Sequence, residues 1–270
     1  MAAPRATVIG FHGVSVSALV DKVVWVTGSS RGIGAAVARL FAQHGAQVAV
    51  HGRDRPALAQ IQTDIERAGG CAIGVEADVT KYADIERARL EIERVLGPID
   101  VLVANAGGSF TPPGPLEETS EDGWRASVDG NLTATFLTLK SVLPGMKQRR
   151  AGSIITISSV AGHRPHPRSP MPYAAAKAGI EILTRDLAAQ VGPFGIRINC
   201  IAPETILTER NTARITEDQR RALADMHPIK RLGTPEDIAQ AALFLASDAS
   251  GWISGIVVDV AGGMTGYPSS

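Results

Sequence analysis

The stretch that most constrains this chain is Val23–Gly34, VVWVTGSSRGIG, where an apolar run breaks into a glycine-rich turn and then into the apolar-periodic segment Ala35–His44. That pattern reads as a strand, a turn and a helix. Gly28, Gly32 and Gly34 stand where a backbone must turn tightly, approach a bound group closely and let the helix lie against the strand. Those are the glycine tasks of a dinucleotide-binding fold. A helix beginning near Gly32 aims its free N–H groups and the positive end of its dipole at the turn, which suits a pyrophosphate. The spacing is G-x-x-x-G-x-G rather than the G-x-G-x-x-G of the common fingerprint, so the general rule does not cover it.

The alternation continues along the chain. Gln47–His51 reads as a second strand, Asp54–Ala68 as a helix capped by Asp54 with Pro56 in its first turn, and Cys71–Glu76 as a third strand. Thr80 is expected to cap a helix over Tyr82–Leu96, which Gly97-Pro98 ends before a fourth strand at Ile99–Ala104. A Pro/Gly-rich loop, Phe110–Pro115, precedes one long helix over Trp124–Met146, a strand at Ser153–Ser158, a helix over Tyr173–Val191 and a strand at Ile196–Ile201. The polar segment Thr205–Lys230 reads as one or two helices lying over a ligand. Thr234-Pro235-Glu236-Asp237 starts a helix over Ile238–Ser247, and Gly255–Asp259 is the seventh strand. Right-handed crossovers turn this order into an α/β, doubly wound parallel sheet of seven strands with helices on both faces.

Size and charge narrow the function. With 270 residues, 44% of them hydrophobic, the chain supports one large core. Lys+Arg and Asp+Glu both number 27, so neither nucleic acid nor an anionic membrane is expected as a main partner. No apolar run is long enough to span a bilayer. Cys71 and Cys200 are too few for a disulfide scaffold and lack metal-ligand spacing, so both read as reduced core thiols of a cytoplasmic protein, with no metal expected. Residues 1–20 read as a loosely ordered extension rather than a signal segment, 21–264 as the single domain and 265–270 as a tail.

The second strand ends in His51-Gly52-Arg53, with no carboxylate before Asp54. A dinucleotide site with an acid there binds the ribose 2′-hydroxyl, whereas an arginine favours a 2′-phosphate. Arg31 in the turn and Arg53 together favour NADP(H), with NAD as the alternative should Asp54 serve the ribose and the arginines be ordinary surface charges.

Tyr173-Ala174-Ala175-Ala176-Lys177 places a phenol and an ammonium on one helix face with only alanines between. A nearby positive charge favours phenolate, so Lys177 is expected to bring the Tyr173 phenol toward working pH. Ser158-Ser159-Val160-Ala161-Gly162 ends the fifth strand at the carboxyl edge of the sheet, where a hydroxyl can hold a substrate oxygen.

The string Thr27-Gly28-Ser29-Ser30-Arg31-Gly32-Ile33-Gly34, followed by Tyr-x-x-x-Lys, resembles the short-chain dehydrogenase/reductase family, and matching strings run from Thr27 to Asp259. The resemblance implies a Rossmann fold and NADP(H)-dependent interconversion of a carbonyl and a secondary alcohol. It implies Asn131, Ser159, Tyr173 and Lys177 as catalytic residues, with Ser158 the competitor of Ser159. It implies Gly28, Ser30, Arg31, Gly32, Ile33, Gly34, Arg53, Asp78, Val79, Asn105, Ala106, Gly107, Pro203, Ile206 and Thr208, with Tyr173 and Lys177, as cofactor contacts. Asp78 would face the adenine, unless it only caps a turn, and the backbone of Ile206 would face the nicotinamide carboxamide. The general look is nearest to 3-oxoacyl-acyl-carrier-protein reductases, with sugar, steroid and small-ketone dehydrogenases or a non-catalytic nucleotide-binding protein as alternatives. A homotetramer acting on a small molecule is expected.

Two departures stand out. Glu204 occupies the place of a usual glycine after Pro203, so the turn there is expected to differ or its carboxylate to face the substrate. The basic loop His163–Pro172 either aims Arg164, His166 or Arg168 at an anionic substrate or, the expected case, leaves them in water.

Overall fold

Short apolar runs such as VVWV and VLVA can bury both of their faces only between neighbours in a sheet. The computed structural model, which describes residues 18–166, 169–213 and 215–264, shows them doing so. In order, the elements are β1 (Val23–Val26), α1 (Gly32–Gln43), β2 (Gln47–Gly52), α2 (Arg55–Arg67), β3 (Cys71–Glu76), α3 (Tyr82–Val95) and β4 (Val101–Ala104). Then come α4 (Glu121–Val128), α5 (Ala134–Arg149), β5 (Gly152–Ile157), α6 (Met171–Val191) and β6 (Ile196–Pro203). The last are α7 (Glu209–Thr212), α8 (Glu217–Met226), α9 (Pro235–Ala246) and β7 (Val257–Val260). All strands pair in parallel in the order β3-β2-β1-β4-β5-β6-β7. This is the expected doubly wound Rossmann sheet.

Alternation along each strand feeds two cores. Val24 and Val26 face Val37, Phe41 and Leu243 of α1 and α9, while Val23 and Trp25 face Ile85, Ile92 and Met146 of α3 and α5. Trp25 and Phe41 are fully buried, each stabilising the fold by roughly 1.5–3 kcal/mol relative to exposure. The chain leaves β1 for β2 and β3 on one side and then crosses to β4 on the other, so the strand order reverses between β1 and β4. A crevice therefore opens above their carboxyl ends.

Several boundaries differ from the sequence reading, each for a local reason. Leu19 falls in the expected extension, yet it is buried and its N–H donates to His44 O at 3.1 Å, so packing begins before residue 21. Residues 1–17 and the 265–270 tail lie outside the described residues. Cys71 is exposed because β3 is an edge strand, whereas Cys200 is buried in β6. Thr80 does not cap α3. Its hydroxyl donates to Asp78 Oδ1 at 2.7 Å, and Lys81 takes the cap position without a side-chain bond. The helix expected over Trp124–Met146 is α4 and α5 joined by a π turn, Asp129–Thr133. Asp54 and Thr234 do cap α2 and α9, the latter in a reciprocal box with Asp237. Among the described residues, no helix is long and apolar enough to cross a membrane.

Candidate active site

The glycine turn is held on both sides. Thr27 Oγ1 accepts from the N–H groups of Asn105 and Ala106, both at 3.0 Å, and Asn105 Nδ2 donates back to the carbonyls of Thr27 and Gly28, also at 3.0 Å. From β2, His51 Nδ1 accepts from Gly28 N at 3.4 Å. Gly28 has φ +64°, and a Cβ there would lie 2.8 Å from Ala106 Cα. At Gly34 a Cβ would lie 2.4 Å from Gly28 O, so neither position admits a side chain.

The helices α2, α4, α8 and α9 begin on Asp, Ser or Thr and are capped by that side chain, but α1 begins on Arg31 with no side-chain cap and no acid in its first turn. Its first N–H groups are left for an anion at the switch point, and these residues fit a dinucleotide pyrophosphate. Toward the adenine end, Arg31 pairs with Asp54 at 2.6 Å on the surface. Arg53 is exposed and pairs with no carboxylate among the described residues, while Ser30 lies under Gly52. Asp78 Oδ1 accepts from both the N–H (3.0 Å) and the hydroxyl (2.7 Å) of Thr80. That arrangement caps a turn, and Val79 packs partly buried beside it.

Across the crevice, β5 delivers two serines with different fates. Ser158 is buried and donates to Glu181 Oε1 (2.9 Å) and Lys177 O (3.0 Å), so its hydroxyl is committed to the interior. Ser159 instead lines a cleft of about 800 Å³ together with Tyr173, Phe110, Glu204 and Arg210. Its hydroxyl accepts from Ala161 N at 3.3 Å and reaches Pro203 O at 3.4 Å. Tyr173 stands opposite on α6. Burial pushes its phenol above the ordinary value, while the Ser159 hydroxyl and the charge of Arg210 pull the other way.

Lys177, one helical turn on, is tied to the neighbouring strand. Its ammonium is buried, donates to Ile157 O at 2.7 Å and lies 5.5 Å from the Tyr173 ring centroid, and burial lowers its pKa from 10.5 to about 8. Asn131 sits in the π turn, fully buried, with Oδ1 accepting from Gly108 N (3.0 Å) and Nδ2 donating to Gly108 O (2.9 Å) and Ser127 O (2.8 Å). A one-residue expansion of a helix at a functional side chain is a recurrent device. A Cβ on Gly107 would meet Asn131 Oδ1 at 2.5 Å and Lys177 Nζ at 3.4 Å, so Asn131, Gly107 and Lys177 converge.

The far wall is where sequence reasoning read least. Backbone beyond β6 carries no positive φ at Glu204, so a side chain is accommodated there without strain. The carboxylate is nearly buried and accepts from the Thr205 N–H, from His166 Nε2 at 3.1 Å and from His227 Nε2 at 3.3 Å. Despite its burial, these contacts hold its pKa at about 2. His227 Nδ1 faces Leu223 O at 2.7 Å, so the ring is held between that carbonyl and the Glu204 carboxylate. His166 is thus not a solvated loop residue, and Arg164 donates to Met264 O at 2.6 Å; Arg168 lies outside the described residues. Ile206 is buried, and its carbonyl takes Asn211 Nδ2 at 2.7 Å, while Thr208 caps α7 through Asn211 N at 3.3 Å.

Three groups escaped the sequence reading. His51 is a polar residue in an apolar strand, with burial lowering its pKa to about 4, and that interruption was a usable signal. Arg210, which donates to Ser109 O at 3.1 Å across the cleft mouth, and His227 carried none.

A parallel sheet, an uncapped helix at its switch point and a phenol beside a serine over one cleft define a nucleotide-dependent oxidoreductase. The chain belongs to the short-chain dehydrogenase/reductase family: a family model described as enoyl-(acyl carrier protein) reductase matches residues 28–265. It is 38% identical over 253 residues to glucose 1-dehydrogenase 2 of Bacillus subtilis (93% of this chain, 97% of that one). It is 39% identical over 249 residues to the 3-oxoacyl-(acyl-carrier-protein) reductase FabG of Chlamydia muridarum (92% and 99%). Among solved structures, a 7 alpha-hydroxysteroid dehydrogenase complexed with NADH and 7-oxo glycochenodeoxycholic acid superposes with a TM-score of 0.87 at 34% identity, covering 92% of this chain and 96% of that one. The protein is a dehydrogenase/reductase acting on CH–OH groups with NAD(P).

Proposed function

We propose that the chain is an NADP(H)-dependent reductase of a carbonyl group, working reversibly on the corresponding secondary alcohol, with a 3-oxoacyl thioester as the first substrate to test. The observation that carries this reading is the shared cleft of Ser159 and Tyr173 beside the convergence of Asn131, Gly107 and Lys177. A nicotinamide, when bound, supplies or accepts the hydride.

The remaining work falls to the protein. Ser159 Oγ holds the substrate oxygen and stabilises negative charge as it develops. The Tyr173 phenol gives that oxygen a proton in reduction and takes it back in oxidation. Lys177 holds the cofactor ribose, and Asn131 fixes the Gly108 backbone and the approach by which a proton reaches Lys177 and Tyr173 from water. The glycine turn and α1 would hold the pyrophosphate. Arg53, with Arg31 released from Asp54, would hold a 2′-phosphate.

Exposed Phe136 and Ile182 on α5 and α6, and Trp252 and Ile256 near β7, support assembly as a homotetramer through the long-helix faces and the last strand. Two unpaired cysteines support a cytoplasmic setting. The test is NADPH consumption by the purified chain with 3-oxoacyl thioesters and a panel of sugar, steroid and small ketones. Turnover lost in Tyr173→Phe supports the reading. Absence of turnover, or turnover unchanged in that variant, overturns it.

A further inference from the structure

The cleft holding Ser159 and Tyr173 has a neighbour. A second cavity of about 220 Å³ lies just past the end of β6 and is lined by Ile206, Ile229 and Val260 with His227, Arg231 and Asp237. Glu204 and Thr205 line both spaces. Between them stands a side chain that is 8% exposed and fixed at three points: the Thr205 N–H, His166 from the loop after β5, and His227 from the end of α8. A carboxylate held by that many donors from separate segments does not swing aside as a solvated glutamate would.

Resting on the reductase reading above, we infer that Glu204 is a specificity-determining partition: it closes the substrate cleft against the cavity behind it and limits how long an acyl or alkyl group the cleft accepts. The rear cavity carries apolar side chains from Ile206, Ile229 and Val260, and its charged residues Arg231 and Asp237 are paired with each other at 2.6 Å, so a chain that reached it would bury methylenes against the three apolar side chains. Each buried methylene strengthens binding roughly four-fold. With the partition in place, methylenes added beyond the cleft meet the bulk of a fixed side chain and cannot pass into the cavity behind it. His166 and His227 set where the carboxylate stands.

The test compares wild type with Glu204→Gly, which removes the partition, and Glu204→Gln, which keeps its volume. The readout is kcat/KM with NADPH across 3-oxoacyl thioesters of increasing acyl length, each enzyme first checked for a cooperative melt. The expected result is a length limit in wild type and in Glu204→Gln. In Glu204→Gly the ratio of long- to short-chain kcat/KM rises at least ~10-fold, the effect of two or so methylenes entering the rear cavity. An unchanged length profile in Glu204→Gly overturns the inference, and so does an equal shift in Glu204→Gln, which would place the effect in the loss of charge rather than of bulk.

Melting of each NADP-loaded protein with saturated acyl thioesters of the same lengths reads the length limit without turnover. If wild type reduces none of the ketones, the functional reading fails on the first assay. The partition still stands or falls on whether the stabilising length moves out in Glu204→Gly.

Discussion

Lys177 Nζ is bonded to the carbonyl of Ile157, 2.7 Å away in the adjoining strand, and not to the Tyr173 phenol one helical turn before it. Burial brings this ammonium down from 10.5 to about 8. The folded chain therefore releases the proton near pH 8, while the unfolded chain keeps it to about its ordinary value. Between those limits the unfolded state holds more protons, so this group makes the fold more stable as pH rises. Under the proposed function turnover moves the other way, because the charge proposed to hold the ribose is lost. Cofactor affinity and kcat/KM for NADPH are expected to fall above pH 8 with no parallel loss of melting temperature from this residue. Lys177→Met is expected to lose ~100-fold or more in kcat/KM while melting no lower than wild type. Steady-state rates and melting curves over the same pH series check both.

Tyr173 follows a different rule. Its phenol lies above its ordinary range because of burial, so at neutral pH the acid form dominates and the residue is ready to donate. Carbonyl reduction is expected to be nearly flat across the neutral range, and alcohol oxidation, which needs the phenol to give up its proton first, to climb with pH. Tyr173→Phe should lower both directions by ~10²–10⁴-fold and leave the dissociation constant for NADPH within a few-fold of wild type. Forward and reverse kcat/KM against pH, with a cofactor fluorescence titration, read all three.

For the cofactor phosphate, the exposed Arg53 and the Asp54-paired Arg31 make unequal contributions. Among the described residues Arg53 has no ion pair to break, whereas Arg31 must leave its carboxylate before it can hold a phosphate. Arg53→Ala is expected to raise KM for NADPH by roughly 10- to 100-fold, the effect of losing one charge-assisted bond, and to leave KM for NADH nearly unchanged. Arg31→Ala should have a smaller effect. A wild-type preference for NADH would remove the basis of the comparison and point to Asp54 as the ribose ligand.

How much of this was legible in the sequence depends on the range of the interaction. Strand order and the glycine turn were readable because apolar runs, caps and glycines act on their own neighbours. The strings that single out Ser159, Tyr173, Lys177 and Asn131 as candidates are local for the same reason. The partner of Lys177 was not readable, since Ile157 lies on another element and its carbonyl has no side-chain identity to read. The π turn at Asp129–Thr133 also left no mark, because Gly130 and Asn131 are weak helix formers for several reasons and do not specify one extra residue in the turn. The contacts of Glu204 with His166 and His227 join residues 38 and 23 positions apart, and only the fold brings them together.

Those contacts also set a limit on acid stability. Glu204 and Asp237 are both held at about 2, against ordinary values of 4.5 and 3.8, the first by His166 and the Thr205 amide and the second by Arg231 and the Thr234 cap. A carboxylate depressed in the folded state stabilises it fully above its ordinary value, and that contribution is lost as pH falls toward the folded one. The melting temperature is expected to hold from neutral pH to about pH 5 and to drop steeply between about 4.5 and 2. Glu204→Gln should cost on the order of 3 kcal/mol at neutral pH and flatten the acid limb. Asp237→Asn should flatten it less, since its carboxylate is more exposed to solvent. Denaturant unfolding of the three proteins at pH 7 and at pH 3 gives the comparison, and equal acid sensitivity in all three would assign the loss to other carboxylates.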